Sequence, residues 1–226
     1  MIKLGRNVLV LGANLAASRT SPLTWMRSVR LAQEAIRRGA QQKWGEFAPL
    51  LALAAAREPA AILEIGSAAG GSFFAWCDIA RADAKIVAID LPGLYGDAQP
   101  TEDSLQEYAK AGQEAVILWG DSHDPAVVQQ ARQIAPRYDL IFIDGDHSYD
   151  GVKADYETYA PLVRPGGLIA FHDIVETTLS AETTGGPIEV PRFWAELKRT
   201  ARHAEFTSPD DRGWGGAWGG IGVIFV

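Results

Sequence analysis

The residues best suited to chemistry fall in three short segments. Ile143-Asp144-Gly145-Asp146-His147-Ser148-Tyr149 and Phe171-His172-Asp173 each close an aliphatic run with carboxylates and an imidazole. Asp144, His172 and Asp173 are ligand types for a divalent cation that leaves positions for water and substrate. Magnesium is the natural ion for the carboxylates, whereas a histidine shifts preference toward manganese, zinc or iron. The third segment, Ile62-Leu63-Glu64-Ile65-Gly66-Ser67-Ala68-Ala69-Gly70-Gly71-Ser72, breaks from a strand pattern into glycines and then a helix. Glycine permits close backbone approach and positive φ, and a helix start offers free N–H donors. The spacing is E-x-G-x-x-x-G, with Ala68 where a dinucleotide fold carries a glycine. That favours a cationic ligand without a pyrophosphate.

Such segments act together only if strands deliver them to one edge. From residue 60 onward, short aliphatic runs alternate with longer amphipathic stretches, the pattern of βαβ units. Strands are predicted over residues 61–65, 85–90, 115–119, 138–144, 167–173 and 220–226. The first five are nearly continuous in apolar residues, as expected of strands covered on both faces. Helices are predicted over residues 22–38, 46–57, 70–81, 103–111, 125–135, 150–162 and 190–203, with Asp124-Pro125 as an N-cap and first-turn proline. Residues 1–58 are therefore expected to form a helical cap segment, and 59–226 one compact domain. The acidic and glycine-rich segments would lie at the C-terminal ends of parallel strands, where open α/β sheets bind ligands.

Composition narrows the partners. Across 226 residues, 21 basic against 28 acidic side chains give a net charge of −7, which opposes binding to a phosphate backbone. A single cysteine, Cys77, excludes an intrachain disulfide and a cysteine-based zinc site, and fits a reducing compartment. No apolar run approaches the roughly 18 residues of a membrane span. Residues 3–18 faintly imitate a secretory signal, but Asn7, Gly12 and Asn14 dilute it. A cytoplasmic protein acting on a small molecule, without nucleic acid or membrane, is the expectation.

The ordered set of motifs resembles the class I S-adenosylmethionine-dependent methyltransferases, over about Gln42 to Val226. The resemblance implies a doubly wound, mostly parallel, seven-stranded Rossmann-like sheet with an antiparallel C-terminal strand. It implies S-adenosylmethionine held by Glu64, Gly66, Ser67, Gly70, Gly71 and Ser72, with Asp90 on the ribose hydroxyls. Gly120, Asp121 and Ser122 would surround the adenine, Asp121 accepting from its amino group, and Asp144 would complete the cofactor contacts.

Four further stretches resemble methyltransferase family 24, the cephalosporin-hydroxylase-like group, and with it the metal-dependent catechol-type and antibiotic sugar O-methyltransferases. They are Asp144 to Lys153, Leu162 to Asp173, and Val190 to Trp194, followed by Gly219 to Val223. The likeness implies a divalent metal, Mg2+ first and Mn2+ next, on Asp144, His172 and Asp173, although His172 stands where those relatives carry an acid. It implies His147, three residues after Asp144, as the base that deprotonates a hydroxyl acceptor, with a homo-oligomer expected. Lys43 and Glu46 would lie in a segment closing over the cofactor, while Trp214 and Trp218 could wall the acceptor pocket.

Two other functions compete. Tyr149-x-x-x-Lys153 matches the proton-transfer pair of short-chain dehydrogenases, but Gly151 interrupts it and Gly12-Ala-Asn-Leu-Ala is too bare a nucleotide motif. A cofactor-binding accessory protein without transfer activity would keep Glu64, Asp90 and Asp121 while the chemical residues drifted.

Overall fold

The structure is a computed structural model that describes residues 21–94, 96, 99–184, 186–209, 213 and 215–226. The signal-like stretch, the Gly12 motif and Trp214 lie outside these residues. Two helices lead, α1 (Pro22–Arg37) and α2 (Trp44–Ala55). There follow β1 (Ala61–Ile65), α3 (Gly71–Ile79), β2 (Lys85–Asp90), α4 (Glu102–Gln106), β3 (Glu114–Trp119), α5 (Pro125–Ile134) and β4 (Tyr138–Ile143). The chain ends with α6 (Tyr149–Tyr159), β5 (Val163–Phe171), α7 (Ala181–Thr184), α8 (Val190–Leu197), β6 (His203–Phe206) and β7 (Ile221–Phe225).

The sheet order is β3-β2-β1-β4-β5-β7-β6. Strands β1 to β5 pair in parallel, and β7 runs antiparallel to both β5 and β6. Chain order reverses between β1 and β4, so the crevice at their C-terminal ends is the switch point at which such sheets bind ligands. The seventh strand is β6. Its four residues alternate exposed and covered positions at the sheet edge, too short and polar to stand out as an apolar run. The preceding helix accordingly stops at Leu197 instead of residue 203. Pro161 likewise turns the end of the helix predicted to residue 162 into a 3₁₀ turn over Ala160–Leu162.

Strand alternation divides the core into two layers. Ile62 and Phe142 face α1–α3 with Phe47 and Trp76, whereas Leu63, Ile141 and Phe171 face α5, α6 and α8 with Trp194. Helix α2 is buried from Gly45 to Ala54, and Phe47 meets Trp76 edge to face at 5.3 Å. Helix α2 of the expected cap segment is thus built into the core, where burying a side chain such as Phe47 contributes about 1.5–3 kcal/mol. No helix among the described residues is long and apolar enough to cross a membrane.

Candidate active site

A cavity of about 450 Å³ opens at the C-terminal ends of β1 to β4, within the range of small-molecule sites. Gly66, Asp90, Gly120, Asp121, Ser122 and Asp144 line it, as does His147. Gly66 follows β1 at φ 83°, and a Cβ there would come within 2.1 Å of the Asp144 carbonyl oxygen, so the turn after β1 can lie this close to the β4 end only because residue 66 is glycine. Asp90 closes β2 and holds the turn: its Oδ2 accepts from Ser67 N at 2.9 Å, Ser67 Oγ at 3.0 Å and Ala68 N at 2.9 Å. The residue expected on the ribose therefore also ties down the glycine loop.

The rest of the glycine segment lies behind the cavity wall. Gly71 allows α3 to meet α1, because a Cβ there would sit 2.2 Å from Ala40 N and 2.3 Å from Ala35 O. Gly70, Ser67 and Ser72 are buried, and Glu64 is fully so. Glu64 Oε1 accepts from Trp76 Nε1–H at 2.8 Å, while Oε2 is buried with no hydrogen-bond partner among the described residues. Burial pushes its carboxyl up from 4.5 to about 8. Of the expected cofactor residues, Glu64, Ser67, Gly70, Gly71 and Ser72 thus support the wall and do not form it.

At the next strand ends, the acidic and imidazole residues converge. Asp144 Oδ2 accepts from Gln42 Nε2 at 2.6 Å, which turns Oδ1 toward His172 Nδ1 at 3.2 Å and His147 Nε2 at 3.4 Å. Asp173, in a left-handed conformation at φ 58°, presents Oδ2 at 3.4 Å from His147 Nε2 and 3.6 Å from His172 Nδ1. That backbone state costs a non-glycine residue about 1–3 kcal/mol, and here it aims a carboxylate at two imidazoles. Both rings consequently face the same two oxygens. Burial would lower the pKa of His172 and of His147, but the Asp144 and Asp173 carboxylates outweigh it and raise both, His172 strongly. The same imidazoles hold Asp173 below the usual carboxylate range despite its burial.

This donor set fits a divalent cation. Separations of 3.2–3.6 Å are those of neighbouring ligands around one ion with bonds of about 2.1 Å. Asp144, His147 and Asp173 bring one ligand atom each within 4.8 Å of one another. His147, expected beside the metal and not as a ligand, is therefore as close to both oxygens as His172 is. The rings differ in access: His147 lines the cavity, whereas His172 is 4% exposed and does not.

Lys43 and Glu46 do not line the cavity, contrary to a segment closing over the cofactor. Both are buried behind His172: Lys43 Nζ donates to Ser208 O and Trp218 O, and Glu46 Oε2 accepts from Gly220 N. Trp218 is buried under this clasp and away from the cavity lining. The dehydrogenase-like pair is split, Tyr149 donating to Glu196 and Lys153 pairing with Glu157.

Two supports of the site escaped the sequence reading. Gln42 is one. Asp155 is the other: fully buried on α6, it accepts from Ser122 Oγ at 2.7 Å and meets His123 Nε2 at 3.2 Å, bracing the turn expected around the adenine. Burial raises its carboxyl from 3.8 to about 6. The signal for it was a carboxylate on the apolar stripe Val152, Asp155, Tyr159 of a helix.

Residues 63–174 match the family model Methyltransf_24, described as a methyltransferase domain. The uncharacterized protein y4gI of Sinorhizobium fredii is 27% identical over 155 residues, 63% of this chain, which spans only 15% of that protein's length. The ribosomal RNA large subunit methyltransferase E of Archaeoglobus fulgidus is 25% identical, over 68% of this chain and 71% of its own. Among solved structures, the O-methyltransferase from Bacillus cereus in complex with SAH superposes with a TM-score of 0.56 at 21% identity, covering 91% of this chain and 92% of that one. MycE methyltransferase from the mycinamycin biosynthetic pathway, in complex with Mg, SAH and mycinamycin VI, gives 0.50 at 21% identity over 70% and 38%. The shared fold is the Rossmann-like methyltransferase fold.

Proposed function

The chain belongs to the Methyltransf_24 methyltransferase-domain family, and from that premise we propose that it transfers a methyl group from S-adenosylmethionine to a small-molecule hydroxyl with a divalent cation bound beside the cofactor. The carrying observation is that Asp144 and His147, two members of the two-imidazole, two-carboxylate cluster, line the same cavity as Gly66, Asp90 and Asp121. Asp90 and Asp121 accept from the hydroxyls and amine of the nucleoside, as carboxylates do. Asp144, Asp173 and His172 would hold the cation. When bound, the ion would supply Lewis acidity that lowers the hydroxyl pKa, and it would offset the carboxylates that raise the His147 pKa. His147, the imidazole open to the cavity, takes the hydroxyl proton at Nε2 as the acceptor oxygen attacks the methyl carbon and the carbon–sulfur bond breaks.

Sugar, phenol and natural-product hydroxyls are the acceptor classes, and the MycE complex, which holds Mg and SAH together on the same fold, supports pairing the cation with the cofactor. The ribosomal RNA methyltransferase likeness is outweighed here by the net charge of −7. A second reading makes His147 a ligand beside Asp144 and Asp173 instead of the base, and its equal 3.4 Å separations from both carboxylates favour it. The test is methyl transfer to a panel of sugar, catechol and RNA acceptors, with calorimetric binding of S-adenosylhomocysteine. Cofactor binding with cation-dependent transfer to a small hydroxyl is expected. Failure to bind the cofactor, or transfer to RNA alone, overturns the reading.

A further inference from the structure

The cation site is held from behind by residues on the opposite side of His172 from the cavity. Glu46, in the first turn of α2, is fully buried, and its Oε1 lies 3.1 Å from His172 Nε2. Glu46 is itself fixed by three donors: Lys43 N to Oε1 at 3.0 Å, Gly220 N to Oε2 at 2.8 Å, and the Lys43 ammonium at 3.3 Å. A carboxylate can only accept, so the proton of this contact belongs to Nε2. Nδ1, the other ring nitrogen, faces Asp144 Oδ1 at 3.2 Å and Asp173 Oδ2 at 3.6 Å, and it is the atom that a bound cation would take in place of its proton. Gln42 acts on the neighbouring ligand in the same way, because its 2.6 Å bond to Asp144 Oδ2 leaves Oδ1 facing the imidazoles. One stretch, Gln42 to Glu46, thereby sets which atom of each inner residue points at the site.

A ligating imidazole commonly donates its second N–H to a carboxylate, which fixes its tautomer and raises its basicity. Imidazole suits first-row transition ions, whereas Mg2+ prefers oxygen and gives up water reluctantly. We propose that Glu46 and Gln42 are positioning residues for a transition-ion site, Glu46 turning His172 Nδ1 and Gln42 turning Asp144 Oδ1 toward the cation, so that Mn2+ is selected over Mg2+. The inference rests on the metal-assisted reading above and revises its ion. It assigns the buried N-terminal segment a role in ion choice that a covering lid would not have.

The test uses the full chain stripped of metal. Mn2+ binding is read by the electron paramagnetic resonance of free Mn2+, Mg2+ by competition, and S-adenosylhomocysteine binding by calorimetry on the same samples. Wild type is expected to prefer Mn2+ by about 100-fold or more, above the small preference of an all-oxygen site. His172→Asp, which restores an all-oxygen set, should reduce the Mn2+-to-Mg2+ preference at least about tenfold. Glu46→Gln should weaken Mn2+ binding by about 10–100-fold with cofactor affinity unchanged. Long-range proton–nitrogen NMR on the Zn2+-loaded wild type should find the His172 proton on Nε2.

Should Glu46→Gln fail to fold, Gln42→Ala serves instead, with weaker Mn2+ binding expected. A wild-type preference within about threefold, an Nδ1–H tautomer, or a folded variant with unaltered Mn2+ affinity overturns the proposal. A protein that binds S-adenosylhomocysteine but neither ion overturns it too, while leaving the cofactor site standing. Loss of cofactor binding in wild type strikes the underlying functional reading and not the ion choice.

Discussion

The two halves of the site are built on different principles. The half at β1–β3 is made of short-range parts: a glycine turn whose amides are gathered by Asp90, 23 residues away, and a β3 turn braced by Asp155. The half at β4–β5 is assembled from distant parts. His172 is oriented by Glu46 across 126 positions, and Asp144 by Gln42 across 102. Backbone donors dominate the first half, side-chain charge the second. The first is suited to holding a ligand of fixed shape, and the second to setting protonation and cation binding, because buried charges respond most to what lies beside them.

Removing divalent cations should separate the halves most sharply. Chelation is expected to abolish methyl transfer while S-adenosylhomocysteine affinity, followed by calorimetry, stays within about threefold. Full turnover after chelation would mean that acid–base chemistry alone suffices. Next in size, His147→Ala should lower turnover by about 10²–10⁴-fold, the usual contribution of a positioned base, again with cofactor affinity preserved. The same variant sharpens its role: Mn2+ affinity within about threefold of wild type marks a base, and a loss beyond tenfold marks a ligand.

On the cofactor side, Asp90→Ala should weaken S-adenosylhomocysteine binding by about 1–3 kcal/mol, as expected when charge-assisted hydrogen bonds and the turn they hold are lost. Unchanged affinity would show that the turn stands without Asp90 and that the ribose is held elsewhere. The smallest effect on cofactor binding belongs to Glu64, which only supports this half and acts on stability. Its carboxyl is raised to about 8 by burial, so the folded state keeps a proton that the unfolded chain releases near 4.5. Its stability contribution is therefore full below pH 4.5 and is lost as pH rises through 8. Glu64→Gln should flatten the decline in urea-unfolding stability across that window, and an unaltered slope would place the ionisation elsewhere.

Legibility follows the same division. The five parallel strands, the glycine turn and the carboxylates at strand ends were readable because each is a local pattern: an apolar run, a break, a polar residue. Strand β6 was not, since four edge residues with one fully buried side chain, Phe206, carry little hydrophobic signal. Glu64 and Asp90 looked alike as acids near strand ends. Side-chain direction separates them: Glu64 points into the layer with Trp76, and Asp90 lies at the mouth.

Sequence by itself determined the fold class, the edge at which ligands bind and the residue types available there, because strand periodicity and connection order are local and additive. Tertiary structure alone decided which residues touch. It buried α2 in the core, where its periodicity allowed a surface cap, and so carried Gln42 and Glu46 to the back of Asp144 and His172. It also turned His147 and His172 toward the same two oxygens while leaving only His147 on the cavity wall. The physical reason is that a hydrogen bond between side chains more than 100 positions apart leaves no periodic trace in the chain; it exists only once packing has offset the entropy lost in bringing its partners together.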